Sequence, residues 1–359
     1  MTRPHPEATL PHRIDRSPDT DREFARIVDE LTRRGFLGGL AGTAGLLGLA
    51  ACGSSGGGTP AGSSGAHGVF PVTVEDAYGT VTVPRQPKTI VSAGRTDHDV
   101  LLALGVVPAA VYRFLPSMTR GVGPWALPKL GDARPAILSN PLNFELIASL
   151  APDLILDVQS FDDLAQNSTL SKIATTVGLP KGATPNAVPW QQSTEFIATA
   201  IGRQADGRRL VAQTESLLAA RARANPAFHG KTVSVLLAYG KDIGVYTPAD
   251  TRMQLLTALG FTPTAYVLGL DAGKFFVQMS PERVGEASAD VTVVLSQEGS
   301  SAKQLVSRFP TLTTLPGYHQ GRVVIVSDLN VALALSGASV LSIPYAVDAL
   351  EPLLAKAAG

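Results

Sequence analysis

Cysteine is almost missing from this chain: Cys52 is the only one in 359 residues. Intrachain disulfides and thiolate metal sites are both excluded. The fold must rest on its core, which 45% apolar residues make possible. An excess of charge of either sign is missing too. Thirty Lys+Arg balance thirty Asp+Glu, so no basic surplus points to nucleic acid and no charge run to an interaction tail. Histidine is scarce. Beyond Cys52 only His67, His98, His229 and His319 occur, without H-x-x-H or H-x-H spacing, and no His/Asp/Glu metal cage is expected. There is no G-x-S-x-G elbow, no P-loop and no G-x-G-x-x-G after a strand, which leaves an enzyme without a catalytic constellation. The uncharged run 35–51 is Gly-rich and shorter than the about 20 apolar residues a membrane-spanning helix needs.

What is present begins with that run. It ends in Leu49-Ala50-Ala51-Cys52, which resembles the lipobox at which bacterial lipoproteins are cut and lipidated. Upstream, Thr32-Arg33-Arg34-Gly35-Phe36-Leu37 resembles a twin-arginine export signal. A lone cysteine often packs as a small hydrophobe, but one at the head of a Gly/Ser tract has no core to enter. Residues 1–51 are read as a lipoprotein signal peptide, Cys52 as the lipidation site and 52–68 as a flexible linker. Fifteen such residues reach roughly 20 Å. The expected location is the extracytoplasmic face of a membrane, held by the lipid anchor.

The rest carries the rhythm of an α/β protein. Two alternating runs about Tyr78-Gly79, within Val69 to Val83, predict a β-hairpin. Thr89-Ile90-Val91-Ser92 predicts a strand and Val100 to Leu104 a helix, with Gly105 at its C-terminal end and Pro108 beyond. Val106 to Val111 predicts the next strand. The unit returns: Leu104-Gly105 and Pro108 reappear as Leu259-Gly260 and Pro263, 155 residues on. A second echo has an offset of 137, in which Glu145 precedes Asp153 as Glu282 precedes Asp290. Two echoes in the same order predict two similar Rossmann-like lobes, 69–204 and 229–359. Between them Ala205 to Asn225, free of proline, predicts one long helix within a bridge of 205–228. A rigid bridge of this kind limits lobe movement.

The series Ile90-Val91-Ser92, Leu101-Leu102-Ala103-Leu104-Gly105, Asn143-Phe144-Glu145, Pro152-Asp153-Leu154-Ile155 and Leu341-Ser342-Ile343-Pro344-Tyr345-Ala346 resembles the ferric-siderophore-binding proteins of ABC importers. That group also takes cobalamin and haem. Ser92-Ala93-Gly94 with Asp99, and Pro124 to Gly131, are similar to segments of its actinobacterial ferric-siderophore receptors. The resemblance runs from about Val72 to Leu354. It implies two α/β lobes joined by a long helix, a ligand cleft between them, no enzyme activity, no cofactor, a monomer and an ABC permease dimer as partner. It also implies that Glu145 and Glu282 dock into arginine pockets of the permease, although a glutamate in a first helical turn also suits the helix dipole.

In such a cleft the ligand meets residues that follow strands. Arg95, Tyr112, Arg113, Tyr239 and Tyr246 are the candidates, with Trp125 in a Gly/Pro-rich loop and Trp190 in another, Asn186 to Trp190. Arginine supplies charge and forked donors, and tryptophan and tyrosine stack on the rings of a bulky, often anionic chelate. Core packing competes for each aromatic. Tyr112, Tyr239 and Tyr246 keep haem ligation open. Gly299-Ser300-Ser301 is a loop that could hold an anion. A ferric siderophore is the expected cargo. Haem or cobalamin is the alternative, and a surface sensor or scaffold lipoprotein the alternative of another class.

Overall fold

The computed structural model describes residues 68–160, 163–185, 187–271, 274–296 and 300–359. The signal segment, Cys52 and all of the linker but Gly68 lie outside the described residues. The hairpin pairs β1 (Val72–Asp76) with β2 (Gly79–Val83), Val72 opposite Val83. Then follow β3 (Ile90–Ser92), α1 (Asp97–Ala103), β4 (Ala110–Tyr112), α2 (Leu127–Leu130), β5 (Ala136–Leu138), α3 (Phe144–Ser149), β6 (Leu154–Leu156), α4 (Leu164–Ser171) and β7 (Thr175–Val177). The five strands after the hairpin form a parallel sheet in the order β5-β4-β3-β6-β7. Their side chains are apolar on both faces, as a sheet covered by helices on each side requires. Ile90, Leu154 and Leu156 pack with Leu101 of α1, while Val91 and Ile155 pack on the other face with Ile147 and Leu170.

Helices α5 (Trp190–Ala200) and α6 (Gln204–Ala224) lead to the second sheet. Its elements are β8 (Thr232–Tyr239), β9 (Asp242–Tyr246), α7 (Thr251–Ala258), β10 (Thr262–Pro263), α8 (Ala265–Leu268), β11 (Phe276–Met279), β12 (Val291–Ser296), α9 (Ala302–Arg308), β13 (Val323–Val326), α10 (Leu329–Gly337) and α11 (Ser342–Ala358). The order is β11-β9-β8-β12-β13, with β10 pairing β8. Here the chain departs from a uniformly parallel lobe. Gly240-Lys241 is a two-residue turn with Gly240 at φ 51°, too short for a helical crossover, so β9 returns antiparallel beside β8.

The repeat has structural counterparts. Gly105 and Gly260 each follow a helix, at φ 76° and 110°, where an L side chain would be strained. The Asp153 carboxylate accepts the N–H groups of Lys88 and Thr89 at 2.9 and 3.0 Å, at the start of β3. Asp290 does the same for β8, accepting from the N–H and hydroxyl of Thr232 at 2.8 Å each. Each echoing aspartate fastens its own strand to the central strand of its sheet.

Helix α6 stands in the chain between the two sheets. Its 21 residues make about 30 Å at 1.5 Å per residue. Near its start, Gly207 lies against Ala198 of α5. Near its end, Arg221 forks to Asp348 and Glu351 of α11 at 2.6 and 2.8 Å. Among the described residues, no helix is long and apolar enough to cross a membrane.

Candidate functional site

The turn after β3 and the first residues of α1 put four charged or titratable groups in sequence: Arg95, Asp97, His98 and Asp99. Asp97 is fully buried, and its carboxylate accepts the N–H groups of Val158 and Gln159 at 2.8 and 3.1 Å. Burial pushes it up to about 7, with those N–H donors pulling the other way. It thereby joins the start of α1 to the segment after β6. Asp99 accepts from Trp125 Nε1 at 2.8 Å and from the hydroxyl of Ser339 at 2.5 Å. Ser339 lies between α10 and α11, so this carboxylate ties the first-sheet half to the second. Burial raises Asp99 and lowers its neighbour His98.

A cavity lies along this seam. Arg95, Tyr112, Phe114, Met118 and Trp125 wall it on one side, Leu333 and Ser336 of α10 on the other. The space open to water is only about 30 Å³, so a chelate fits only when the walls give way. The Arg95 guanidinium lies 5.1 Å from the Phe114 ring centre. Burial, then repulsion by Arg252, lowers it to about 10, so it remains charged at neutral pH. Arg252 stands behind Ser336, to which it donates a hydrogen bond. It pairs with Asp250 at 2.7 Å and lies 4.0 Å over the Tyr246 ring. Burial works against the Arg252 charge, and Asp250 and Tyr246 together outweigh it.

Three of the seven sequence candidates, Arg95, Tyr112 and Trp125, share that cavity wall. Tyr246 is buried beneath Arg252, behind the wall. Tyr239 ends β8 and meets Phe276 edge-on at 6.2 Å, outside the cavity. Arg113 donates its N–H to the Leu138 carbonyl, and its side chain is in neither wall. Trp190 is not in a loop. It opens α5 and is 5% exposed, packed with Val211 and Leu218 of α6. Arg252 and Asp250 escape a reading by strand ends. The 155-residue echo, extended backwards, nonetheless sets Arg95 against Asp250 and Asp97 against Arg252. Phe114 and Met118 give no signal beyond being apolar residues in a loop.

Glu145 is exposed in the first turn of α3, where Asn143 caps the helix by accepting the Leu146 N–H at 2.9 Å. Glu282 is exposed in the 3-10 helix Pro281–Ala287. A hydrogen bond from the Ser280 hydroxyl holds its carboxyl below the usual range. Gly299 lies outside the described residues. Ser301 is occupied in a capping box with Gln304 at the head of α9. Among the described residues, no group of three His, Cys, Asp or Glu is placed to hold a metal ion.

A search of curated proteins gives no match. The family model described as periplasmic binding protein matches residues 90–328. Among solved structures, a periplasmic solute binding protein from Mycobacterium smegmatis is 30% identical. It superposes with a TM-score of 0.71 over 80% of this chain and 99% of its own. PiaA of Streptococcus pneumoniae in complex with ferrichrome is 24% identical, with a TM-score of 0.69 over 80% and 98% of the two chains. FhuD2 of Staphylococcus aureus with bound ferrioxamine B is 19% identical, with a TM-score of 0.61 over 76% and 100%. The two sheets, the cleft at their seam and the match across both halves agree: this chain belongs to the periplasmic binding protein family, whose members are solute-binding proteins and not enzymes.

Proposed function

We propose that this protein captures a ferric siderophore outside the cytoplasm and delivers it to the permease of an ABC importer. The observation that carries the reading is the cleft wall. A half-buried, charged Arg95 lies among Tyr112, Phe114 and Trp125, offering charge and ring faces to an anionic chelate with planar edges. The ferrichrome and ferrioxamine B named with two structural neighbours support the same cargo class. Lipidation at Cys52 holds the receptor near its permease, where a short linker raises the effective concentration. Glu145 and Glu282, both exposed, serve as its two docking points.

Titration of the purified protein with hydroxamate, catecholate and carboxylate ferric chelates, haem and cobalamin, read by tryptophan fluorescence, tests the cargo. A ferric chelate is expected to quench, chiefly through Trp125 in the cleft, with Trp190 packed in the core. Saturable quenching by haem or cobalamin alone would replace the siderophore by that ligand. Silence toward all of them would refute the transport reading.

A further inference from the structure

Arg95 and Tyr112 also line a second, adjoining compartment of different chemistry. Asn140, Asp157, Gln159, Ser160 and Gln166 complete its wall. The sequence sets them where strands end: Asn140 after β5, and Asp157, Gln159 and Ser160 after β6. Gln166 reaches in from the first turn of α4. The space is about 40 Å³, enough for a head group such as an ammonium and its methylene, not for a chelate.

Its hydrogen bonding is incomplete. Asp157 is 3% exposed, and a carboxylate has about four acceptor positions. Among the described residues, one side-chain donor reaches it, Gln166 Nε2 at 2.9 Å. The Ser160 hydroxyl, in a residue 4% exposed, is buried without a partner among the described residues. The Gln159 amide is committed to the Val188 carbonyl at 2.9 Å. Both open positions belong to side chains lining one small space, and buried polar groups are rarely left so.

The charges around that space favour a cation. Asp157 and, at the head of α4, Asp163 bring negative charge here, and Asp97 at the head of α1, raised to about 7, adds part of one at neutral pH. Among the described residues, Arg95 is the one cation in the wall. Its guanidinium lies over Phe114, and the charges that act on it most are Arg252, Tyr112, Asp250 and Tyr246. Burial pushes Asp157 up to about 6, still ionised at neutral pH. A buried carboxylate without a counter-charge is costly.

We propose that this compartment binds a protonated primary amine carried on an arm of the ligand, the ammonium donating to the Asp157 carboxylate and the Ser160 hydroxyl. The inference rests on the siderophore reading, since the arm belongs to a chelate seated in the adjoining cavity, with which this compartment shares Arg95 and Tyr112. It sharpens the ligand class to chelates with a free amine on a flexible arm.

The test pairs ferrioxamine B, which has a free terminal amine, with its N-acetylated form. Both are titrated against the wild-type protein, Asp157→Asn and Ser160→Ala by tryptophan fluorescence. Acetylation is expected to weaken binding at least tenfold in the wild type. The ratio between the two forms should collapse toward one in Asp157→Asn and shrink in Ser160→Ala. Equal binding of both forms by the wild type overturns the proposal. A second arm needs no iron. The protein, labelled with ¹³C at its aspartate carboxyls, is titrated with pentylamine and with 1-pentanol, and Asp157→Asn identifies the signal. Pentylamine should move the Asp157 resonance and 1-pentanol should not. Equal effects, or none, sink the amine site. Should no chelate bind while pentylamine still acts, the siderophore reading fails and the amine site stands.

Discussion

Arg95 keeps its charge in a place where burial works against it, and it shares the cavity wall with the rings of Tyr112, Phe114 and Trp125. A charged hydrogen bond to a ligand is worth about 1.5–3 kcal/mol, so Arg95→Ala should weaken binding of a ferric chelate by roughly 10- to 100-fold. Arg95→Lys should recover only part, because an ammonium lacks the flat fork that lies over Phe114. A fluorescence titration giving unchanged affinity in both variants would remove Arg95 from the site. Asp157 makes a prediction of the other kind. Its carboxyl titrates near 6 in the folded protein against an ordinary 3.8. The folded state therefore holds the proton more tightly. That contribution to stability is complete below about 3.8 and is lost as pH rises through about 6. The melting temperature of the wild type minus that of Asp157→Asn should fall between pH 4 and 7, and a rise over that interval would contradict the assignment. Sequence made Arg95 and Tyr112 legible because they lie just after or at the end of a strand, and Trp125 because it sits in a Gly/Pro-rich loop. It misplaced Trp190, whose Pro-rich approach reads as loop although the residue itself starts a helix. It passed over Asp157, since a lone aspartate after a strand acquires meaning only from the burial around it.

The strand-helix units were readable because their signals are local. Val72 to Val83 alternates about Tyr78-Gly79, and Ala205 to Asn225 holds strong helix formers without a proline, close to the observed Gln204–Ala224. The antiparallel β9 was not readable from strand patterning, because nothing in Asp242 to Tyr246 states its direction. The two-residue turn at Gly240-Lys241 decides it. The short 3-10 helix around Glu282 likewise differs from its counterpart α3, with Pro281 in the first position where Phe144 stands in α3. The paired helix ends give a stability prediction. Nothing lies within 4 Å of a Cβ built on Gly105, so Gly105→Ala costs only the left-handed backbone, about 1–2 kcal/mol. Gly260→Ala meets the His229 ring at 3.1 Å as well, and should lose more. Chemical denaturation of both variants measures this, and a Gly105→Ala protein as stable as wild type would show that the turn relaxes freely.

Over the whole molecule, the two echoes place one exposed glutamate in each half, eight residues before the aspartate that fastens that half's own sheet. The structural duty of the repeat falls on Asp153 and Asp290, both held below the ordinary carboxylate range. At Asp153 burial is outweighed by the N–H groups of Thr89 and Lys88 together with Arg85, and at Asp290 the N–H and hydroxyl of Thr232 act. Glu145 and Glu282 carry no comparable duty. The α3 cap is supplied by Asn143, and the one side-chain bond described for Glu282 comes from its neighbour Ser280. Neither glutamate lines the ligand cavity, so their charges are available to a partner with complementary cations. Such rim charges steer and register an encounter more than they hold it. Replacing both by alanine should therefore leave fold and solution affinity for the chelate unchanged, while uptake by cells carrying the cognate permease falls to background. Each single variant should fall between. Full uptake by the double variant would exclude two-point docking, and a parallel loss of chelate affinity would assign the glutamates to the ligand cleft instead.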